Sequence, residues 1–216
     1  TSSTRRAPPT MDSESGWTSL WNGKSLDGWT TWMRQPEATS EVPGLARGTD
    51  GKYTEPIGSG RDPLNVFTVA PDVDGAPAIR ISGEAFGELR TKRSFENYHL
   101  KFQFKWGEKK WAPRDRPETP RDSGLLYHVH APPGQDGRTW ARSIELQIQE
   151  HDVGDLYAVG STIAVRAKQR QGTKPPLYDY DPTGEWMFFA QSHGMSGRAV
   201  KQPDNEKPTG EWNTVE

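Results

Sequence analysis

The chain has no cysteine among its 216 residues, which excludes a disulfide framework and any thiolate-based metal site. It has no apolar run near the ~18 residues that a membrane-spanning helix needs. No signal-peptide pattern of basic start, apolar middle and small-residue cleavage site is visible either. Charge of one sign is also missing. The formal net charge is −2, and the basic residues are not gathered on one stripe, so no long-range field favours nucleic acid or an anionic membrane surface. Neither nucleic-acid binding nor a membrane span is expected. No segment sustains helical periodicity, and no internal repeat is evident.

What the chain does have is 22 Gly and 18 Pro, with nine Trp, seven Phe and six Tyr against a hydrophobic fraction of only 31%. That composition suits many tight turns between short strands, with large aromatic bodies supplying the core. The length suits one domain with a real core. Residues 1–15 are polar and Pro-rich and read as a disordered leader or linker. The folded domain is expected over 16–216.

Period-two alternation recurs along that stretch. Strands are expected at 64–69, at 77–82 after the Asp74-Gly75 turn, at 87–91 and at 98–106. Others are expected at 123–130, 144–149, 156–159, 162–166, 186–189 and 212–216. The segments 34–63 and 107–121 are charged and rich in Gly and Pro and read as long excursions. The expected fold class is all-β: two antiparallel sheets packed face to face, a sandwich or jelly roll. Glu211-Trp212-Asn213-Thr214-Val215-Glu216 reads as a strand just begun, so the domain is expected to lack C-terminal strands.

The stretch Ser143-Ile144-Glu145-Leu146-Gln147-Ile148-Gln149-Glu150 is the most informative. Ile144, Leu146 and Ile148 would face a core, leaving Glu145, Gln147 and Gln149 on the other face. A carboxylate beside two carboxamides offers fixed acceptors and donors to a bound molecule. Polar rows on other strands, Glu88 and Arg90, Gln103 and Lys105, His128 and His130, would join it if those strands are neighbours. Such a face suits a sugar, with Tyr127 to stack on a pyranose ring. Gln147, Arg90, Tyr127, Lys105 and Glu88 are therefore substrate-binding candidates, and Glu145, Glu150 and His128 are catalytic candidates. His128 and His130, two apart on a strand, would point the same way and could hold a divalent metal ion. No organic cofactor is expected. Asp152-Val153-Gly154-Asp155 reads as a turn rather than a calcium loop, with Asp155 within reach of the cleft.

A glycosidase places two carboxyl groups across the scissile bond. Glu145 and Glu150 would lie on opposite faces of a regular strand, and one β-bulge between them would bring them to the same face. Gln147, between them, cannot transfer a proton.

The opening block Trp17-Thr18-Ser19-Leu20-Trp21-Asn22-Gly23-Lys24-Ser25-Leu26-Asp27-Gly28-Trp29 resembles that of the 3-keto-disaccharide hydrolase family. Glu88-Leu89-Arg90-Thr91, Phe95-Glu96-Asn97-Tyr98-His99-Leu100, Asp122-Ser123-Gly124-Leu125, Ile144-Glu145-Leu146-Gln147-Ile148 and Gly210-Glu211-Trp212-Asn213 match later blocks in order. The resemblance implies a concanavalin-like jelly roll acting on 3-keto glycosides in the bacterial periplasm, at the cell surface or as a secreted protein. The Glu145 strand is also similar to the catalytic strand of family 16 glycoside hydrolases, where an Asp stands at the position of Gln147. Three functions follow as expectations. One is cleavage of 3-keto glycosides by elimination across C1–C2 and hydration. The second is conventional glycoside hydrolysis by Glu145 and Glu150, and the third is non-catalytic carbohydrate binding.

Overall fold

The computed structural model describes residues 16–135, 139–190 and 197–216; the leader expected over 1–15 lies outside them. In chain order the strands are β1 (Trp29–Met33), β2 (Gly58–Ser59), β3 (Phe67–Val73), β4 (Ala76–Ile81), β5 (Gly87–Thr91), β6 (Phe102–Phe104) and β7 (Asp122–Ala131). They continue with β8 (Arg142–Gln149), β9 (Leu156–Val159), β10 (Thr162–Gln169), β11 (Tyr178–Tyr180), β12 (Glu185–Ala190), β13 (Arg198–Ala199) and β14 (Asn213–Val215). No helix forms among the described residues. The all-β expectation holds, with antiparallel pairing in each sheet whose register is defined.

The strands fall into two compact units, one of residues up to Ala112 with Thr214–Glu216, the other Pro113–Asn213. In the first, β2, β1 and β5 form a sheet in that order, β3 pairs with β4, and β6 pairs with β14. Asp74 and Gly75 join β3 to β4 with φ of 56° and 93°. Two positive φ values in a two-residue loop match the right-handed twist of the flanking strands, which is why Asp-Gly succeeds there. The core of this unit gathers Met33, Val42, Tyr53, Ile57, Val66, Phe67 and Ala85. The 34–63 segment is thus more than an excursion, because it supplies Val42, Tyr53 and Ile57 to that core.

The stretch 98–106 has the cleanest alternation in the chain, yet only Phe102–Phe104 is strand. A strand exists where a partner's backbone meets it, and its partner β14 has three residues. Tyr98, at the start of the stretch, lies outside the strand and is exposed.

In the second unit, β13, β9, β8 and β7 form a four-stranded sheet, and β11, β10 and β12 a three-stranded one. Ala199 of β13 shares one buried cluster with Ala167 of β10 and Phe189 of β12. Aromatic residues do not all serve the core: Trp186 and Phe188, on the other face of β12 from Phe189, are 60% and 61% exposed.

The Tyr53 hydroxyl organises the 34–63 segment. It accepts the Val42 N–H at 2.8 Å and an Arg47 N–H at 2.7 Å, and donates to the Ser40 carbonyl at 2.8 Å. Tyr53→Phe keeps the ring and leaves the buried Val42 N–H unpaired, while the Ser40 carbonyl keeps the Arg47 guanidinium at 2.9 Å. The substitution should lower unfolding free energy by about 1–3 kcal/mol, read as a lower urea midpoint at unchanged m-value. An unchanged midpoint would show that the loop is held by packing alone.

Candidate functional site

The site is built on β8, which is paired on both sides. Against β7 the register runs Asp122↔Gln149, Ser123↔Ile148, Gly124↔Gln147, Leu125↔Leu146, Leu126↔Glu145 and Tyr127↔Ile144 without interruption. Against β9 it places Ile144 opposite Ala158, Glu145 opposite Tyr157, and Leu146 opposite Leu156. β13 then puts Arg198 opposite Tyr157 and Ala199 opposite Leu156. Residues directly opposite in antiparallel strands share a face. One face of the sheet therefore carries Ile144, Leu146, Leu156, Ala158 and Ala199. The other carries a transverse row of Glu145, Tyr157 and Arg198 on three adjacent strands.

Room for Glu145 comes from a missing side chain. A Cβ at Gly124 would overlap the Glu145 carboxylate and lie 2.9 Å from its Cδ. The Glu145 side chain thus lies diagonally across β7 at Gly124, half-buried. Any other residue at 124 would push the carboxylate away.

Beside it sits a charged cluster. The Arg198 guanidinium donates to the Tyr157 hydroxyl at 2.9 Å. It also lies 3.4 Å from Asp152 and, through Nε, 3.3 Å from Asp155 Oδ2. Asp155 is completely buried. Its Oδ1 accepts the Lys201 N–H at 3.0 Å, while Oδ2 has ion-pair proximity to Arg198 without hydrogen-bond alignment. Burial pushes the Asp155 carboxyl above its ordinary value, against the Lys201 N–H and Arg198. Burial likewise pushes the Tyr157 phenol up, against the opposing pull of Arg198, so the phenol is neutral at pH 7.

The two glutamates of the expected pair part company. The continuous register from Ile144 to Gln149 contains no bulge, so Glu150 does not join the face of Glu145. Glu150 is instead buried against Arg121. Its Oε2 accepts the Arg121 N–H at 2.6 Å, and its Oε1 accepts the Arg121 guanidinium at 2.6 Å and the Thr209 hydroxyl at 3.1 Å. Burial alone would raise its pKa, but the Arg121 N–H and guanidinium outweigh it and hold the carboxyl below its ordinary range. Glu150 is a buttress joining β8 to the chain before β7, and a catalytic role for it is not supported. Gln147 is buried as well, with its Oε1 turned back to accept the Ile148 N–H at 3.1 Å.

The remaining expected residues lie outside β8 and β9. Tyr127, opposite Ile144, falls on the apolar side of β7 and not beside Glu145. Just past it the register shifts, and His128 adopts φ 52°. That break removes the alternation that would have aligned His128 with His130; both are exposed, and His130 Nδ1 lies 3.4 Å from the His128 carbonyl. Among the described residues no group of three or more His, Asp or Glu side chains converges to hold a metal ion. Glu88 and Arg90 lie on β5 of the other unit, opposite Trp32 and Thr30. Lys105, in that unit too, is ion-paired with Asp74.

A sheet that sets a carboxylate, a neutral phenol and a guanidinium in one row beside a buried aspartate has the donors and acceptors of a carbohydrate-active protein. The chain belongs to the family described as the 3-keto-alpha-glucoside-1,2-lyase-like domain, whose profile matches residues 16–216. This is the 3-keto-disaccharide hydrolase family that its sequence blocks resemble. No curated protein and no solved structure matches the chain.

Because the Glu150 carboxyl is held below its ordinary 4.5 in the folded state, its contribution to stability is present above that value and is lost as pH falls through the depressed folded value. Glu150→Gln should cost roughly 3 kcal/mol at pH 7, the low end for breaking a buried pair. The wild-type advantage should shrink steadily as pH falls below 4.5. Asp155, whose carboxyl is raised, acts with the opposite sign but is common to both proteins and cancels in the difference. Chemical denaturation across pH reads this directly, and a gap that does not vary with pH would contradict it.

Proposed function

We propose that this protein cleaves 3-keto glycosides by elimination across C1–C2, followed by hydration, with Glu145 as the base. The observation that carries this reading is the placement of the Glu145 carboxylate over Gly124, in the row with Tyr157 and Arg198. Family membership supports the substrate class. A ketone at C3 acidifies the hydrogen on C2, because the electrons left behind delocalise into the carbonyl as an enolate. A positioned carboxylate can remove that proton. The enolate then expels the glycosidic oxygen from C1, and water adds across the product. Conventional hydrolysis by Glu145 and Glu150 loses its second carboxylate, since Glu150 faces away and is saturated by Arg121 and Thr209.

The decisive experiment offers methyl glucoside and its 3-keto counterpart to the protein, in H2O and in D2O. The expected result is cleavage of the keto sugar alone and deuterium incorporation at C2. Glu145→Gln should lower turnover by about 10²–10⁴-fold, the range for loss of a general base. Equal cleavage of the plain glucoside, or unchanged turnover in Glu145→Gln, would refute the reading.

A further inference from the structure

We infer that Tyr157 is the proton donor to the leaving-group oxygen, and that Arg198, backed by Asp155 and Asp152, is the positioning residue that aims it. This inference rests on the elimination reading above and adds the acid that the reading leaves unassigned.

The register puts Tyr157 directly opposite Glu145 on the adjacent strand, a placement that sets Cβ atoms about 5 Å apart. A base working at C2 and an acid working at the oxygen on C1 can approach one sugar from two sides: the Glu145 carboxylate leans over Gly124 of β7 and the Tyr157 hydroxyl reaches toward Arg198 of β13, so the two flank a sugar laid on the face they share. The direction of the hydrogen bond matters further. A phenol has one proton and can also accept. Arg198 donates to the Tyr157 oxygen at 2.9 Å, which occupies a lone pair and leaves the phenolic proton for something else. Among the described residues the phenol donates to nothing. The neutral state favoured by burial keeps that proton in place. Arg198 is itself fixed at 3.3 Å from Asp155 and 3.4 Å from Asp152, and would stabilise the phenolate formed in the step.

Glu145 takes the proton from C2, and the C–H electron pair becomes the C1–C2 double bond of the enone. The C1–O bond breaks, its pair stays on the departing oxygen, and that oxygen takes the Tyr157 proton. In hydration, water gives its oxygen to C1 and a proton to the Tyr157 phenolate, while the Glu145 carboxyl returns a proton to C2. Both side chains end as they began, and the net reaction is hydrolysis.

The test compares wild type with Tyr157→Phe on two 3-keto glucosides, one with a methyl and one with a 4-nitrophenyl leaving group. Nitrophenolate leaves without protonation; methoxide does not. Tyr157→Phe should lose about 100-fold or more on the methyl glycoside, stay close to wild type on the nitrophenyl one, and still exchange C2–H in D2O. Equal losses on both substrates, the sign of a merely structural role, or no loss on the methyl glycoside would overturn the assignment. If Tyr157→Phe does not fold, 3-fluorotyrosine at 157 carries the test. With Glu145, Arg198, Asp155 and Asp152 around it unchanged, the alkaline limb of the pH–rate profile should move to lower pH, and an unmoved limb would overturn the assignment. Wild type that neither exchanges C2–H nor cleaves either substrate refutes the elimination reading itself. Cleavage by wild type combined with the wrong variant pattern refutes Tyr157 alone.

Discussion

Continuous pairing along β8 decides everything at the candidate site. From Ile144 to Gln149 each residue has a fixed partner on β7, and from Ser143 to Leu146 it also has one on β9. With a side-chain period of two, a one-residue slip would send Glu145 to the core and Leu146 to the polar face. Such a slip would bury an unmatched carboxylate against Ala199 and its neighbours, at a cost of several kcal/mol. The register is therefore held by the faces it creates. The same register aligns Glu145, Tyr157 and Arg198, residues that are 12 and 41 positions apart in sequence for the pairs Glu145–Tyr157 and Tyr157–Arg198.

Keeping so many polar groups half-buried needs pairing. Asp155 is fully enclosed and is compensated by the Lys201 N–H and the nearby Arg198. Glu150 is enclosed and compensated by Arg121 and Thr209. Gln149 donates to Asp152 at 2.7 Å, and Arg114 bridges Gln149 and Asp122. Buried ion pairs of this kind add little net stability over an apolar core, but breaking one leaves a charge stranded. Their effect is to make the geometry of the row costly to change, as a constellation that must hold catalytic distances requires.

Local features were legible in the sequence, and pairings were not. The strands at 87–91 and 156–159 fall where alternation placed them, and the Asp74-Gly75 hairpin follows from turn chemistry. Glu145 on a polar strand face was equally legible. Tyr157 and Arg198 were missed because each stands in an unremarkable short strand, and only the β8–β9–β13 register gives them a common face with Glu145. Asp155 was visible as a turn residue near the cleft; its complete burial was not. The overestimate of 98–106 has the same origin: alternation reports which side chains could share a face, while strand length depends on the partner. The alignment expected of His128 and His130 assumed a regular strand, and the bulge after Tyr127 breaks it.

Glu145 and Glu150 show how little residue type says about role. They are the same side chain five positions apart, and both are withdrawn from bulk water. Glu150 meets a backbone N–H, a guanidinium and a hydroxyl, and is held ionised by them. A carboxylate so well satisfied is a poor base, because taking a proton would break the contacts that stabilise its charge. Glu145 lies over a glycine, in a space kept open by the absence of a side chain, next to a phenol whose oxygen is already engaged by Arg198. The first arrangement anchors a strand end. The second sets a carboxylate leaning over β7 and a neutral phenol reaching toward β13 on one face of the sheet, and that placement is why the chemistry is assigned to the row across β8, β9 and β13 instead of to a pair along β8.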